Sequence, residues 1–219
     1  MWDDPEPLLR PAPYAPVAWP GSVRVKLSPR SGPASVDLTA LLERRETRRE
    51  FGRDVRDDSL GEFLWLACRS RGSRPSPYGF DQESRPHPSA GAAHPIHVLV
   101  ARDGATWSRY DPTDHAIVEI PGLESNAAAV RAAASMLVPV DRGIILALVA
   151  EPGKSAAKYA HPQSLVWRDA GVVIGYMSVV AEALRMPFCP LGITGDPHLA
   201  DIHGPQAGLH GAGLAVLGG

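Results

Sequence analysis

The hydrophobic pattern of the chain is helical in its first part and becomes strand-like near residue 95. Asp37 can cap a first helix that runs to about Arg45. A second helix begins near Asp57 or Asp58, and apolar residues recur along it at the spacing of a buried helix face: Leu60, Phe63, Leu64 and Ala67. These intervals predict two consecutive helices.

Beyond residue 95 the apolar residues come in short, nearly continuous runs. Such runs are typical of buried strands, and they occupy residues 95–101, 142–152 and 213–219. Residues 115–120 form a more polar run, which predicts a more exposed strand. Helices are predicted between the strands at 126–137 and 164–185. Helices mixed with a few separated strands favour an α+β sandwich.

A Rossmann nucleotide site and a P-loop nucleotide site are disfavoured, because neither GxGxxG nor GxxxxGK follows a predicted strand. The helix predicted at 164–185 is the most apolar stretch of the chain. It carries four charged residues, which predicts a buried or interfacial helix rather than a membrane span: Arg168, Asp169, Glu182 and Arg185.

Residues 1–36 form a proline-rich arm that precedes the domain predicted for residues 37–219. Eight prolines in this segment predict an extended chain with little regular structure, which either wraps a neighbour or stays mobile. Residues 69–91 form a long loop rich in Pro, Ser and Gly. Loops of that length are functional or disordered.

Composition excludes several classes of partner. The 219 residues carry a net charge of −2, which favours neither nucleic acid nor an anionic membrane surface. The two cysteines, Cys68 and Cys189, are far apart, and no signal peptide is recognisable. A cytoplasmic protein with reduced thiols is expected. The eight histidines show no HExxH or finger spacing, so no metal site is expected.

The stretch RRETRREF, residues 44–51, places four arginines within six positions. A solvated basic face that offsets a helix dipole is the ordinary interpretation. Arg45, Thr47 and Arg49 could instead converge on one phosphate or ring edge, provided that the chain leaves the helix at this point. Arg44 and Arg48 would then be ordinary surface charge or compensation of the helix dipole.

A second candidate for chemistry is the pair Lys158-Tyr159 in SAAKYAHP. A lysine that is partly desolvated in a loop of small residues has a lowered pKa and can act as a base. The alternative, which these two residues alone favour, is a solvated pair without a function.

Four motifs in this order resemble the nitroreductase superfamily: RRETRREF, SRPHPSAGAAHP, AAKYAHPQ and FCPLGITG. The branch that they resemble most is the SagB-type dehydrogenases, which are azoline oxidases of ribosomal peptide natural-product pathways. The resemblance runs from about Val25 to the end of the sequence. It implies a three-layer sandwich with a central mixed, mainly antiparallel sheet flanked by helices.

The resemblance also assigns roles to residues. It implies that FMN binds to the following residues: Arg45, Thr47, Arg49, Pro88, Ser89, Ala90, Gly91, Leu191 and Gly192. The first arginine and the threonine would lie along the phosphate and ribityl chain, and Arg49 would reach the pyrimidine edge of the flavin. Lys158 and Tyr159 match the Lys-Tyr pair that azoline oxidases use for proton removal.

The implied function is oxidation of a thiazoline or oxazoline in a ribosomally synthesised peptide to the azole. The implied partners are a peptide substrate, a second copy in a homodimer, and a cyclodehydratase or another biosynthetic enzyme. Two alternatives stay open. One is a generic NAD(P)H-dependent nitro or quinone reductase, and the other is a non-catalytic scaffold that binds a peptide or a partner enzyme.

Overall fold

A computed structural model describes residues 3–29, 35–102 and 104–219, and of Pro205 only the backbone. Five α-helices occur in this part of the chain: α1 (Leu38–Arg44), α2 (Asp57–Cys68), α3 (Glu124–Ser135), α4 (Pro152–Ala156) and α5 (Gln163–Ala183). The strands of the first half are β1 (Glu6–Pro7), β2 (Arg24–Lys26), β3 (Gly72–Arg74), β4 (Gln82–Ser84), β5 (Ile96–Ala101), β6 (Ser108–Asp111) and β7 (Ala116–Glu119). Those of the second half are β8 (Ile144–Ala150), β9 (Tyr159–Ala160), β10 (Phe188–Leu191) and β11 (His210–Leu217).

Seven strands of the described chain form the central sheet, in the order β10-β11-β8-β5-β6-β7-β2. All of the pairings between these strands are antiparallel, which agrees with the predicted mainly antiparallel sheet. All seven residues of β8 are buried. A strand that is covered on both faces needs no polar alternation, which explains the continuous apolar run in its sequence.

Helices and loops cover both faces of the sheet. One hydrophobic cluster joins α2 and α5 to one face, where Phe63 and Met177 are buried. The second cluster joins α3 and the segment before β11 to the other face, where Val130 and Leu199 are buried. The structure thus confirms the predicted α+β sandwich.

The predicted helices and buried strands are found with end points that differ by a few residues. The cap is also as predicted, because the Asp37 side chain accepts a hydrogen bond from the N–H of Ala40 at 2.7 Å. In the central sheet, sequence patterns missed β2, β6 and β10. The sequence of β6 is Ser-Arg-Tyr-Asp and β10 contains Pro190, which is tolerated because β10 is an edge strand of the sheet.

By length and composition, α5 is the one helix of the described chain that could cross a membrane, with a mean hydropathy of 1.2. Its inner face packs instead against the sheet through a row of buried residues: Leu165, Val166, Ala170, Val173, Met177 and Ala181. It also buries two carboxylates, Asp169 and Glu182. The predicted buried helix is therefore present as a core helix of the domain.

The described residues of the arm lie on the chain's own domain. Strand β1 pairs with β9, and β2 pairs with β7 at the edge of the central sheet. The proline content predicted an arm that wraps a neighbour or stays mobile, and the structure shows residues 3–29 paired with their own domain at β1 and β2. The long loop at 69–91 contains the hairpin of β3 and β4.

Candidate functional site

The turn at residues 88–91 is held on the first half of α5 by Asp169. Ser89 donates its hydroxyl proton to Asp169 Oδ2 at 2.6 Å, and the N–H of Ala90 donates to Oδ1 at 3.1 Å. The Ser89 oxygen also accepts the N–H of His94 at 2.9 Å. Burial raises the pKa of Asp169, and the two donors offset part of this rise. A buried carboxylate thus fixes the shape of the turn.

Gly91 is the last residue of this turn, and it contacts the predicted catalytic residues Lys158 and Tyr159. Lys158 Nζ donates to the Gly91 carbonyl oxygen, and Gln82 Nε2 donates to the same oxygen at 2.8 Å. Gly91 has φ +58°, and a Cβ added there would lie 2.6 Å from Lys158 Nζ and 2.7 Å from the Tyr159 hydroxyl. The fold thus brings Gly91, Lys158 and Tyr159 together although 67 residues separate Gly91 from Lys158.

The surroundings of Lys158 lower its pKa. Burial lowers the pKa of Lys158, and the charge of Arg74 lowers it further. The ammonium lies 4.5 Å from the centre of the Tyr78 ring. Beside it lies a cavity of about 430 Å³. Its walls are Pro7, Leu8, Leu9, Pro11, Tyr78, Lys158 and Tyr159. The cavity therefore joins a half-buried lysine, a phenol and space for a small ring.

The RRETRREF segment leaves the helix at Arg45, whose ψ of 120° is not helical. This is the departure that the phosphate-binding interpretation requires. Thr47 and Arg49 are exposed and Arg45 is half-buried. None of these three side chains makes a hydrogen bond or ion pair with the residues that the structure describes. They are free to contact a ligand.

Ordinary surface charge is the wrong description of Arg44 and Arg48, because both bind a buried carboxylate. Arg44 Nε lies 2.9 Å from Glu182 Oε1, and Arg48 Nη1 lies 2.6 Å from Oε2. The Glu182 side chain is 3% exposed, so two arginines neutralise a buried carboxylate of α5. The N–H of Arg48 also donates to the carbonyl of Phe188 at 3.2 Å. These contacts hold the segment on the edge strand β10.

Leu191 and Gly192 lie at the other end of β10. Three residues separate Leu191 from Phe188, which is about 10 Å along a strand. Leu191 is half-buried and Gly192 is exposed. Strand β10 therefore has the arginine segment beside Phe188 at one end and the predicted residues Leu191 and Gly192 at the other.

The turn at 88–91 lies far from the arginine segment of the same chain. Asp169 binds the turn, and Glu182 binds Arg44 and Arg48. These carboxylates are thirteen residues apart on α5, which corresponds to about 20 Å. Within a single chain, the turn at 88–91 and the arginine segment therefore do not contact the same small ligand.

Sequence reasoning missed several residues that shape the site: Tyr14, Tyr78, Gln82, Asp169 and Lys154. Lys154 is buried, and its Nζ donates to the carbonyl of His94 at 3.2 Å. Burial, with the charge of Arg85, lowers the pKa of Lys154 to about 8. A carboxylate inside the most apolar stretch was the one signal that could have pointed to Asp169.

Two further predictions concern cysteines and metals. Cys68 and Cys189 are buried free thiols. Among the residues that the structure describes, no group of three or more His, Cys, Asp or Glu side chains is placed to hold a metal ion.

No protein-family model matches the sequence, and neither does any curated protein. Solved structures do match. A candidate nitroreductase from Ralstonia eutropha superposes with a TM-score of 0.67 at 20% identity, over 98% of this chain and 97% of that one. The Escherichia coli microcin synthetase McbBCD complex with truncated pro-MccB17 superposes with a TM-score of 0.58 at 17% identity. The match covers 87% of this chain and 76% of that one. A candidate nitroreductase from Desulfovibrio desulfuricans in complex with FMN superposes with a TM-score of 0.52 at 17% identity. The match covers 84% of this chain and 87% of that one. The chain thus has the nitroreductase fold.

Proposed function

We propose that the protein is an FMN-dependent oxidoreductase that dehydrogenates a thiazoline or oxazoline in a ribosomally synthesised peptide to the azole. The observation that carries this proposal is the contact of Lys158 and Tyr159 with the Gly91 turn. A generic flavin reductase that moves only a hydride needs no lysine base, whereas aromatisation of an azoline requires removal of a ring proton as well.

Lys158 takes that proton in the proposed reaction. The Gly91 carbonyl and the Tyr78 ring hold the amine at the wall of the cavity, and burial lowers its pKa. Tyr159 places its hydroxyl on the same side of Gly91 as the amine. Gly91 leaves the room that both side chains need.

Arg45, Thr47 and Arg49 are the residues that would hold FMN, together with the backbone of Leu191 and Gly192 along β10. Their unpaired cations and hydroxyl fit a phosphate, a ribityl chain and the electron-rich edge of a flavin. Bound FMN supplies a hydride acceptor. The positive charge of Arg49 would stabilise the negative charge that follows hydride transfer.

A homodimer would complete the site. The turn at 88–91 lies about 20 Å along α5 from the arginine segment, so the turn of a second copy would have to approach it. Apolar side chains remain exposed on α1 and α5 for such a contact: Leu38 and Leu42 are 62% and 53% exposed, and Tyr176 is 40% exposed. A two-fold interface made from these helices would bury them.

The likeness to the microcin synthetase complex, which was solved with truncated pro-MccB17, supports a peptide substrate and a synthetase-type partner such as a cyclodehydratase. The two buried free thiols agree with a cytoplasmic location.

The experiment that tests the cofactor is the visible spectrum of the purified protein, followed by titration with FMN. We expect flavin absorbance, and we expect Arg49→Ala to weaken FMN binding by about tenfold or more, since it removes one charge-assisted contact. The matched control is Arg53→Ala, because Arg53 is exposed and its side chain makes no bond with the described residues. Arg48 is not a suitable control, since its ion pair with Glu182 positions the segment.

Each possible outcome selects one function. A colourless protein that binds no added FMN but binds peptide would be a scaffold. A flavoprotein that consumes NADPH with a nitroaromatic acceptor and leaves azoline peptides unchanged would be a generic reductase. Equal FMN affinities for Arg49→Ala and Arg53→Ala would show that RRETRREF is a solvated basic patch and not a flavin-binding segment.

Substitution of Gly91 is expected to displace the proposed base. In Gly91→Ala the new Cβ meets Lys158 Nζ and the Tyr159 hydroxyl at less than 3 Å, and φ +58° disfavours alanine. We expect azoline turnover to fall by at least about tenfold, because a base that is displaced by 1 Å loses alignment. The measurement is single-turnover flavin reduction by an azoline peptide. Gly104→Ala is the control, since Gly104 also has a positive φ but no neighbour within 4 Å. Equal rates for the two variants would contradict the contact.

A further inference from the structure

We propose that β9 and Tyr78 form a docking surface for an extended peptide, and that residues 6–14 of the arm occupy the surface in this structure. These residues are called the arm strand. The peptide substrate would dock in place of the arm strand, so the arm controls access to Lys158. The identity of the docked peptide as the substrate rests on the function proposed above.

Main-chain hydrogen bonds hold the arm strand. Glu6 and Pro7 lie opposite Ala160 and Tyr159 in an antiparallel pair. The N–H of Leu8 donates to the Lys158 carbonyl at 2.8 Å, and the N–H of Ala12 donates to the Ala157 carbonyl at 3.1 Å. Such bonds do not depend on side chains. Another extended peptide can make them by strand addition.

The surface ends in a socket for an aromatic side chain. The N–H of Tyr14 donates to the Tyr78 carbonyl at 2.9 Å, and its hydroxyl donates to Glu151 Oε1 at 2.9 Å. Glu151 is 1% exposed. Gly79 and Gly153 make the room, because a Cβ on Gly79 would overlap the Tyr14 backbone and one on Gly153 would overlap its ring. The socket therefore favours peptides with an aromatic residue at this position.

The arm strand also passes the predicted base. It supplies Pro7, Leu8, Leu9 and Pro11 to the walls of the cavity that contains Lys158 and Tyr159. A second peptide cannot pair with the Lys158 carbonyl while Leu8 occupies it. A peptide that replaced the arm strand would bring its own side chains to the Lys158 amine.

The hold of the arm strand is limited by its prolines. Pro7, Pro11 and Pro13 have no N–H to donate. The Leu9 side chain is fully exposed and adds no burial. A strand with these gaps is displaced more easily than a continuous one, although its tether gives it an effective concentration in the millimolar range.

A disulfide can lock the arm strand in the full-length protein. Residues that lie directly opposite in an antiparallel pair have Cα atoms about 4.5–5.5 Å apart, which suits a disulfide. Glu6→Cys with Ala160→Cys therefore creates a reversible lock, and the native thiols are buried. A third change, Tyr14→Ala, empties the socket and releases the arm when the lock is reduced.

The probe is a fluorescent synthetic peptide with the arm's own sequence, DPEPLLRPAPYA, residues 4–15. Its anisotropy is titrated with the triple variant in oxidised and reduced form. We expect saturable binding to the reduced form and at least about tenfold weaker binding to the oxidised form. A probe with alanine for tyrosine should bind the reduced form more weakly. Glu6→Cys with Tyr14→Ala, which cannot form the lock, should be unaffected by oxidation.

Equal binding to the locked and released forms would overturn the proposal, and so would no binding to the released form. Turnover is then measured with Glu6→Cys/Ala160→Cys alone, and reduction of the lock should restore azoline oxidation. Equal turnover in both forms overturns the docking surface and leaves the proposed function standing. Binding that follows the lock, without any turnover, upholds the docking surface and contradicts the proposed function.

Discussion

Lys158→Ala is expected to slow azoline oxidation by about 10²–10⁴-fold, the usual effect of removing a general base. Flavin content and the melting temperature should stay close to those of the unchanged protein, because the Lys158 side chain contacts the Gly91 carbonyl and the cavity rather than the core. The measurement is the rate of flavin reduction by an azoline peptide in a single turnover. Full turnover by Lys158→Ala would show that the assigned base is wrong.

The pH dependence gives an independent check of this assignment. A base acts as its neutral form, so the rate should rise with pH and reach half of its maximum at the pKa of Lys158. Burial, with the charge of Arg74, holds that pKa below the usual 10.5. Arg74→Gln removes the second cause and should move the midpoint upward. A rate that does not change with pH below 10.5 would contradict proton removal by Lys158.

The second large effect concerns the two arginines that bind Glu182. Replacement of both Arg44 and Arg48 by alanine leaves a carboxylate with a 3% exposed side chain without a partner. Because the two arginines also cover this carboxylate, their removal admits water to it, and we expect a loss of about 1–2 kcal/mol in the free energy of unfolding, from the charge-assisted hydrogen bonds that are lost. Chemical denaturation at neutral pH measures this loss, with Arg53→Ala as the control.

The loss should depend on pH in a defined direction. Burial opposes ionisation of Glu182, but the hydrogen bonds from Arg48 and Arg44 outweigh it, so the folded pKa lies below the ordinary 4.5. The ion pairs therefore stabilise the fold fully above pH 4.5, and this stabilisation is lost as the pH falls through the folded pKa. The difference between the double variant and the unchanged protein should shrink in acid. A constant difference would exclude Glu182 as its source.

Local patterns in the sequence predicted the long elements correctly. The helix cap at Asp37, the inner face of α2 and the continuous apolar run of β8 are properties of neighbouring residues, and the structure reproduces them. Strands β6 and β10 were missed because they are short and contain polar residues or proline. Their pairing with distant strands, not their own composition, makes them strands.

The motifs gave the candidate residues, but the sequence assigned wrong surroundings to some of them. Arg44 and Arg48 looked like surface charge because their partner, Glu182, lies more than 130 residues away. The arm looked independent because nothing near it in sequence shows that Tyr14 has a socket between Gly79 and Gly153. Long-range contacts of this kind leave no periodic signal.

The sequence by itself determined the fold class, the order of the four motifs, and the residue types that a flavin and a proton acceptor require. Only the tertiary structure decided which of these residues meet. It placed Lys158 and Tyr159 against Gly91, separated the turn at 88–91 from the arginine segment along α5, and laid the arm across the predicted base. The physical reason is that helix and strand periodicity are local, whereas burial, ion pairing and strand pairing depend on which distant parts of the chain pack together.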